Sequence, residues 1–381
     1  MQPRYSIVAF SHLRWNFVYQ RPQHLLSRLA AKRPVFFVEE PEFDPQGPPR
    51  WERTTPRPNL TVLRPRTPIQ APGFPPDQLP ALDRLIADLA CELEGTTLVA
   101  WLYTPMALPL AQALGPAATV YDCMDELSLF LGAPPELLSR EAALLKSADV
   151  MFTGGPSLYR AKQARHSNVH CFPSSVDAAH FRTARPGDPS AIPEAEDQAG
   201  LPHPRFGFYG VIDERLDLAL LDFIAAARPG WQIVLVGPVV KIDPASLPRR
   251  PNIHYFGQCS YDDLPRYLRG WDVCLLPFAR NDATRFISPT KTLEYMAAEL
   301  PIVSTPITDV AEPYGNIVYL GATPEEFLAA CDTALTSSPA ERGRRSAEMR
   351  RVLAGTSWDV TVSAMEKLLA AALAPQAAVP V

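Results

Sequence analysis

The residues with the clearest chemical potential follow an apolar run, DVCLLPF, in the segment RFISPTKTLEYMAAELPIVST. The pattern predicts a helix capped by Ser288 or Thr290, with Pro289 in its first turn. Its unpaired N–H groups and positive dipole end would bind an anion. Lys291 is unusual in a first turn, because a cation opposes that dipole, and a bound diphosphate would resolve the conflict. Glu294, one turn later on the same face, could accept hydrogen bonds from two ribose hydroxyls.

Arg285, a few residues upstream, could add a second cation to this anion site. The alternative is that Lys291 and Glu294 form an ordinary surface ion pair, since residues three apart are neighbours on a helix. Spacing alone leaves both interpretations open.

A second set of candidates lies in VYDCMDELSLF. Asp122 stands at the end of a predicted strand, and Asp125 follows three residues later. A carboxylate in such a loop could act as general base on an acceptor hydroxyl, an effect typically worth about 10²–10⁴-fold in rate. Asp125 is the first choice and Asp122 the alternate. Alternatively, Asp122 caps the turn and Asp125 caps the helix after it.

A third set follows the first predicted strand, in SHLRW and the start of the next helix: His12, Arg14, Trp15 and Arg21. These side chains could stack on and hydrogen-bond a sugar acceptor. His12 could equally be structural, and Trp15 could instead pack on the helix entry as a hydrophobic staple.

Short β-branched runs alternate with amphipathic stretches along the chain, as in YSIVAF, RPQHLLSRLAAK and PVFFVE. Nearly continuous apolar strands between helices predict a doubly wound α/β fold with parallel sheets. Segment 182–204 is rich in Pro and acids without an apolar period, which predicts an interdomain linker. We therefore predict two domains, 1–181 and 205–356, facing a central cleft. A C-terminal helix in 357–381 could pack back on the N-terminal domain.

Composition excludes several classes of protein. The 381 residues are 47% hydrophobic and 20% charged, which is typical of a globular, two-domain chain. No apolar run approaches the roughly 20 residues of a spanning helix, and the N-terminus lacks a secretory signal, so a cytoplasmic protein is predicted. A net charge of −5 argues against general nucleic-acid binding. Residues 1–70 hold eleven Lys or Arg against five Asp or Glu, either as a solvated face or for contact with a lipid-linked substrate at the inner membrane surface.

Motifs for metals and common cofactors are missing. The six cysteines are scattered without a C-x-x-C pair, and H-E-x-x-H is absent. The dinucleotide pattern G-x-G-x-x-G and the P-loop pattern G-x-x-x-x-G-K-[ST] are absent too. We therefore expect no metal site and no cofactor beyond a co-substrate.

SPTKTLEYMAAELPIVST resembles the nucleotide-sugar signature of GT-B glycosyltransferases, near glycosyltransferase family 4 (group 1) and its teichuronic-acid-type bacterial subgroup. RWNFVYQRPQHLLSRLA, VYDCMDELSLF, FYGVIDERLDLALL and FGQCSYDDLPRYLRGWDVCLLPF resemble further parts of that subgroup, so the similarity covers nearly the whole chain. It implies two Rossmann-like domains, with a nucleotide-diphosphate sugar held mainly by the C-terminal one and an acceptor by the N-terminal one.

The resemblance also implies roles for single residues. Glu294 would hold the ribose, and the backbone at Gln258 and Cys259 would face the base. The diphosphate and sugar would be held by a glycine, hydroxyl groups and cations: Gly210, Arg215, Arg285, Ser288, Thr290 and Lys291. Some inverting GT-B enzymes of similar sequence use an aspartate near the place of Asp125. Such enzymes stabilise the leaving diphosphate with helix dipoles and cations instead of a metal.

Two positions depart from the family pattern. Phe286 stands where a second glutamate is usual, eight residues before the ribose glutamate. Val211 stands where an arginine is usual, and a lysine further on is missing, although Arg215 and Arg285 could substitute as cations. These departures leave the sugar-binding details and a retaining mechanism open.

The sequence thus predicts a metal-independent hexosyltransferase. It would move a sugar from a UDP- or GDP-linked donor to a saccharide or lipid-linked acceptor in bacterial cell-surface polysaccharide or glycoconjugate synthesis. One alternative is a sugar-nucleotide 2-epimerase, although its several cleft carboxylates and histidines are not apparent. Another is a degenerate, non-catalytic nucleotide-sugar-binding protein, which Phe286 favours.

Overall fold

The computed structural model describes residues 5–185 and 187–374. The chain divides into two compact units. The first runs to Pro173 and takes up the chain again at Asp359, and the second spans Ser174–Trp358.

The first unit is built on a largely parallel sheet. Its strands are β1 (Tyr5–Phe10), β2 (Val35–Val38), β3 (Glu42–Phe43), β4 (Arg50–Arg57), β5 (Leu60–Thr67), β6 (Thr97–Leu102), β7 (Ala118–Cys123), β8 (Val150–Thr153) and β9 (Val169–Cys171). Its helices before Pro173 are α1 (Arg21–Ala30), α2 (Leu79–Glu92), α3 (Leu108–Ala113), α4 (Leu137–Ser147) and α5 (Pro156–Lys162). The strand order is β3-β5-β2-β1-β6-β7-β8-β9, and β4 pairs antiparallel with β5. Every residue of β1 and β8 is buried, as expected for strands covered on both faces.

Strands β3 and β4 are absent from the sequence prediction. The β4 sequence, RWERTTPR, has no alternating apolar pattern, and most of its residues are exposed. Ion pairs accompany its pairing with β5 instead, such as Arg66 with Glu52 across the two strands. Periodicity therefore cannot identify such a strand, because neither of its faces is apolar.

The second unit has a wholly parallel sheet of order β12-β11-β10-β13-β14-β15. Its strands are β10 (Arg205–Tyr209), β11 (Gln232–Val236), β12 (Ile253–Tyr255), β13 (Val273–Leu276), β14 (Ile302–Ser304) and β15 (Tyr319–Leu320). Its helices are α6 (Ala178–Arg182), α7 (Leu218–Ala227), α8 (Leu264–Arg269), α9 (Thr290–Ala297), α10 (Thr308–Tyr314), α11 (Pro324–Thr336) and α12 (Pro339–Ala354). This is the strand order of a Rossmann-like sheet. The chain adds β11 and β12 on one side of β10 and then adds β13, β14 and β15 on the other side.

The predicted linker, residues 182–204, lies inside the second unit instead of between two units. Its Gln198 is fully buried, donates to the Tyr267 carbonyl at 2.7 Å and accepts from the Trp271 indole at 3.1 Å. The segment lacks an apolar period because buried polar contacts, which a hydrophobic pattern does not record, attach it to α8.

The final helix, α13 (Trp358–Ala372), belongs to the first unit from Asp359 onward. Glu366 contacts Lys32 at 2.6 Å and also pairs with Arg33. The end of the predicted 357–381 segment, from residue 375, lies outside the described residues. Helix α12 is absent from the sequence prediction, because Met349 is its one buried residue and no apolar stripe marks it.

Candidate functional site

The point where the second sheet reverses strand order is the expected ligand position in an open α/β fold. Gly210 follows β10 there, and the chain after β13 leads through the segment 277–289 into α9. The elements predicted to bind an anion therefore come together at the carboxyl ends of two adjacent strands.

Gly210 lies directly against the side chain of Lys291. A Cβ atom placed on Gly210 would collide with Lys291 Cε and stand 2.7 Å from its Nζ. Gly210 has a φ of +137°, a conformation that favours glycine, and its carbonyl closely approaches Gly237 at the end of β11. The ammonium group also stands 5.5 Å from the centre of the Phe208 ring. The Lys291 side chain thus extends over the Gly210 loop.

The first turn of α9 has no side-chain cap. Pro289 is its N-cap, with φ −69° and ψ 119°, so the predicted capping by Ser288 or Thr290 is wrong. Ser174 contacts both of these residues instead: its hydroxyl donates to the Ser288 carbonyl at 2.9 Å and accepts from the Thr290 hydroxyl at 3.2 Å. The absence of a capping side chain leaves the helix end to be satisfied by other groups.

Glu294 is 5% exposed and lies one turn beyond Lys291. Its Oε2 accepts a hydrogen bond from the Tyr209 hydroxyl at 2.6 Å. Burial raises the pKa of Glu294 to about 7, although the Tyr209 bond and the charge of Lys291 act in the opposite direction. Asp177, beside α6, adds to the increase. The carboxyl group is therefore poised between its neutral and charged forms near neutral pH.

The two candidate arginines of this unit differ in their surroundings. Arg215 makes a bidentate contact with Asp213, at 3.0 Å from Nε to Oδ1 and 2.6 Å from Nη2 to Oδ2. Its charge is therefore partly compensated within the loop. Arg285 is exposed, and its guanidinium stands 5.1 Å from the centre of the neighbouring Phe286 ring. Phe286 is half-buried and offers no carboxylate.

The predicted base-binding backbone follows β12. Gln258 is exposed and Cys259 is half-buried, directly after Gly257, whose φ of +69° turns the chain. Burial raises the pKa of the Cys259 thiol to about 11, so it is protonated at neutral pH.

Two residues of this site are not among the sequence predictions. Tyr209, which binds Glu294, reads in the sequence as an ordinary strand residue. Glu214 has both carboxylate oxygens shielded from solvent without a hydrogen-bond partner among the described residues. Its backbone carbonyl accepts from Asn281 at 2.9 Å, which ties its loop to the chain after β13. The one feature of the sequence that could have identified Glu214 is its position next to Arg215, a predicted site residue.

In the first unit, Asp122 and Arg21 form a buried ion pair. Arg21 Nε stands 3.0 Å from Asp122 Oδ1, and the arginine also donates to the Phe172 carbonyl at 2.7 Å. Asp122 is 0% and Arg21 3% exposed. Burial raises the pKa of Asp122, while the charge of Arg21 opposes that change. This geometry does not fit Asp122 as an alternate base or Arg21 as an acceptor ligand, because the two charged groups are buried and paired with each other.

The loop after β1 is organised by Glu39, a fully buried carboxylate. Glu39 accepts from the Trp15 backbone N–H at 2.7 Å and from Arg14 Nη1 at 3.2 Å. Trp15 is 8% exposed and packs edge-on against Phe37, so it belongs to the core and not to an acceptor surface. His12 and Arg14 remain half-buried in the loop.

Asp125 lies in the turn after β7 and is half-buried. The next residue, Glu126, contacts Lys162 at 2.6 Å, and Lys162 also contacts Glu141 at 2.6 Å. Lys162 is 1% exposed, which makes this a buried charge network. The network fixes the chain beside Asp125 to helices α4 and α5.

Within the described residues 5–185 and 187–374, no group of three or more His, Cys, Asp or Glu could hold a metal ion. In the same part of the chain, no helix combines the length and the apolar character needed to cross a bilayer.

The chain is similar in sequence to known glycosyltransferases. Residues 203–337 match the family described as glycosyl transferases group 1. A Bacillus subtilis (strain 168) protein, assigned to teichuronic acid biosynthesis as the glycosyltransferase TuaH, is 26% identical over 301 residues, covering 74% of this chain and 73% of that protein.

Two solved structures have similar folds. One is an Escherichia coli structure described as trehalose-6-phosphate bound with UDP-2-fluoro glucose (TM-score 0.66, 16% identity, covering 96% of this chain and 99% of that one). The other is sucrose-phosphate synthase from Thermosynechococcus elongatus (TM-score 0.67, 16% identity, covering 96% and 98%). The predicted GT-B fold and the resemblance to group 1 glycosyltransferases are confirmed, and residues 203–337 form a domain of that type.

Proposed function

We propose that this group 1 glycosyltransferase moves a sugar from a UDP- or GDP-linked donor to a hydroxyl of a saccharide or lipid-linked acceptor. The proposed context is bacterial cell-surface polysaccharide or glycoconjugate synthesis, with peripheral contact at the inner membrane surface. The proposal rests on the position of Lys291. This residue is in the first turn of α9, and its side chain lies against Gly210, which follows β10.

The donor diphosphate would bind where these groups meet. Glycine at position 210 has no side chain, so its backbone can approach a phosphate closely. A larger residue there would also displace the Lys291 side chain. The ammonium group and the positive end of α9 would stabilise the negative charge that develops on the leaving diphosphate. We propose that these groups act without a metal. Exposed Arg285 is close in sequence and could supply a further cation.

Glu294 would hold the ribose of the donor. Its buried carboxylate can accept hydrogen bonds from two hydroxyls, and Tyr209 fixes one of its oxygens by donating to it. The exposed backbone at Gln258 and Cys259 would contact the base, with Ser288 and Thr290 beside the diphosphate.

The sugar of the donor would use a different carboxylate from the one usual in the family. Phe286 cannot accept a hydrogen bond. Glu214, on the Gly210–Arg215 loop, has two shielded oxygens that find no hydrogen-bond partner in the described part of the chain. A bound sugar hydroxyl would satisfy the Glu214 carboxylate, whose burial without a partner is costly.

Asp125 would accept the proton of the acceptor hydroxyl. The buried contact between Lys162 and Glu126 holds the adjacent backbone in place, which a general base needs. His12 and Arg14, on the loop ordered by Glu39, would contact the acceptor.

Titration calorimetry with UDP and GDP tests the donor site. Lys291→Ala should weaken binding of the preferred nucleotide by roughly 10- to 100-fold, the usual value of a charge-assisted contact to phosphate. Lys146→Ala, which removes an exposed lysine on α4, is the matched control and should bind as the native chain does. Unchanged affinity in Lys291→Ala would remove the donor-site assignment. Product analysis with donor alone separates a transferase from an epimerase, since an epimerase needs no acceptor.

A further inference from the structure

A cavity of about 410 Å³ lies in the second unit, away from the proposed donor site. Its wall includes Asp272 and Pro301, which precede β13 and β14, and Tyr319, which begins β15. The cavity is therefore at the amino ends of these parallel strands, whereas Gly210 stands at the carboxyl end of β10. Its volume is within the range of small-molecule sites, roughly 300–1,000 Å³.

Three arginines line this cavity: Arg185, between α6 and β10, and Arg342 and Arg345, both on α12. Arg342, on α12, has no carboxylate partner among the described residues and donates to the Leu335 carbonyl at 2.7 Å. Arg185 donates to the Ala297 carbonyl at 2.8 Å, at the end of α9. The Arg345 guanidinium lies 3.7 Å from the centre of the Tyr319 ring.

Tyr319 provides a second, independent indication of a ligand. The residue is 8% exposed, and its hydroxyl is shielded from solvent without a hydrogen-bond partner among the described residues. A shielded hydroxyl in this state loses the free energy of hydration without compensation. An acceptor atom in the cavity would restore the missing bond.

The charges around the cavity favour an anion. Glu299 is shared by Arg185 and Arg350, and Glu341 is shared by Arg344 and Arg345. The remaining carboxylate of the wall, Asp272, is already bonded to His203 at 2.7 Å and to the Arg205 amide at 2.7 Å. The lining residues and their direct arginine or carboxylate partners hold four arginines against three carboxylates: Arg185, Arg342, Arg345 and Arg350 against Asp272, Glu299 and Glu341.

We propose that this cavity is a second binding site, specific for a small phosphate monoester. A phosphate group presents three acceptor oxygens in different directions, which suits donors that converge from α12, β15 and the segment before β10. The cavity is larger than a bare phosphate requires, and the remaining space would hold the esterified group. This site is independent of the proposed donor site.

The test uses the full chain carrying Lys291→Ala, so that phosphate binding at the donor site is weakened. Inorganic phosphate and glycerol 3-phosphate are titrated by calorimetry. We expect glycerol 3-phosphate to bind at least as tightly as inorganic phosphate. Adding Arg342→Gln should weaken binding about tenfold or more, and adding Tyr319→Phe about threefold or more.

Arg351→Gln in the same background is the matched control, because this exposed arginine of α12 pairs with Glu348 and does not line the cavity. It should leave the affinity unchanged. The proposal is overturned if neither probe binds at millimolar concentration, or if Arg342→Gln binds as tightly as the background chain. It is also overturned if inorganic phosphate binds more tightly than the ester. Nucleotide binding by the native chain reports separately on the donor site.

Discussion

Glu294→Gln should make the stability of the protein less dependent on pH. Burial raises the pKa of Glu294 from 4.5 to about 7 in the folded chain. One pKa unit corresponds to about 1.4 kcal/mol, so the ionised carboxylate costs the fold about 3 kcal/mol relative to its unfolded form. The folded state binds the proton more tightly, and this cost is therefore absent below the unfolded pKa and complete above the folded one.

The cost should appear between about pH 4.5 and 7 and stay constant at higher pH. Between pH 5 and 8, native stability should fall relative to Glu294→Gln by about 2 to 3 kcal/mol. Glutamine keeps an acceptor oxygen for the Tyr209 hydroxyl, so this variant isolates the charge.

Urea unfolding of both proteins at pH 5, 6, 7 and 8 measures the difference. Glu325→Gln, which replaces an exposed glutamate in the first turn of α11, is the matched control and should not reproduce the change of about 2 to 3 kcal/mol. A stability difference between Glu294→Gln and the native chain that stays flat across this range would refute the reasoning. Bound nucleotide should move the transition to lower pH, because ribose hydroxyls favour the carboxylate form.

Three further outcomes are expected. Asp125→Asn should retain nucleotide affinity but lose sugar transfer by roughly 10²-fold or more, measured as product formed with acceptor; full transfer would exclude it as the base. Glu214→Gln should weaken the binding of the nucleotide sugar several-fold and leave the affinity for the free nucleotide unchanged, as measured by calorimetry with both ligands. An equal loss of affinity for the two ligands would contradict a contact between Glu214 and the sugar. Arg21→Met should destabilise the first unit by about 3–5 kcal/mol in urea unfolding, because it strands the Asp122 carboxylate. Arg21→Met with Asp122→Asn should recover part of that loss, and no recovery would argue against the pair.

The sheets of both units could be predicted because their strands are buried on both faces. YSIVAF and VMFT are mostly apolar, with Ser6 and Thr153 as their polar residues, so their composition identifies β1 and β8. The polar strand β4 and helix α12 could not be predicted in this way, because ion pairs and not apolar faces accompany them. Local pattern is informative only where burial determines residue type.

The residues of the candidate site also differ in how far the sequence could predict their positions. Lys291 and Glu294 are local to one helix, and the sequence signature placed them near each other. Arg21 and Asp122 are 101 positions apart, so their mutual burial is a tertiary fact that neither segment records. The acceptor contact predicted for Arg21 and Trp15 came from their residue types and their position after β1, whereas both side chains are buried in the structure.

The hydroxyl of Ser174 connects the beginning of the second unit to the start of α9. Ser174 is the first residue of the second unit, and it is bonded on one side to Ser288 and on the other to Thr290. The first residue of this unit is thus hydrogen-bonded to the N-terminal end of α9. Replacing Ser174 by alanine would therefore remove both hydrogen bonds at once and loosen the start of α9 together with the first residue of this unit.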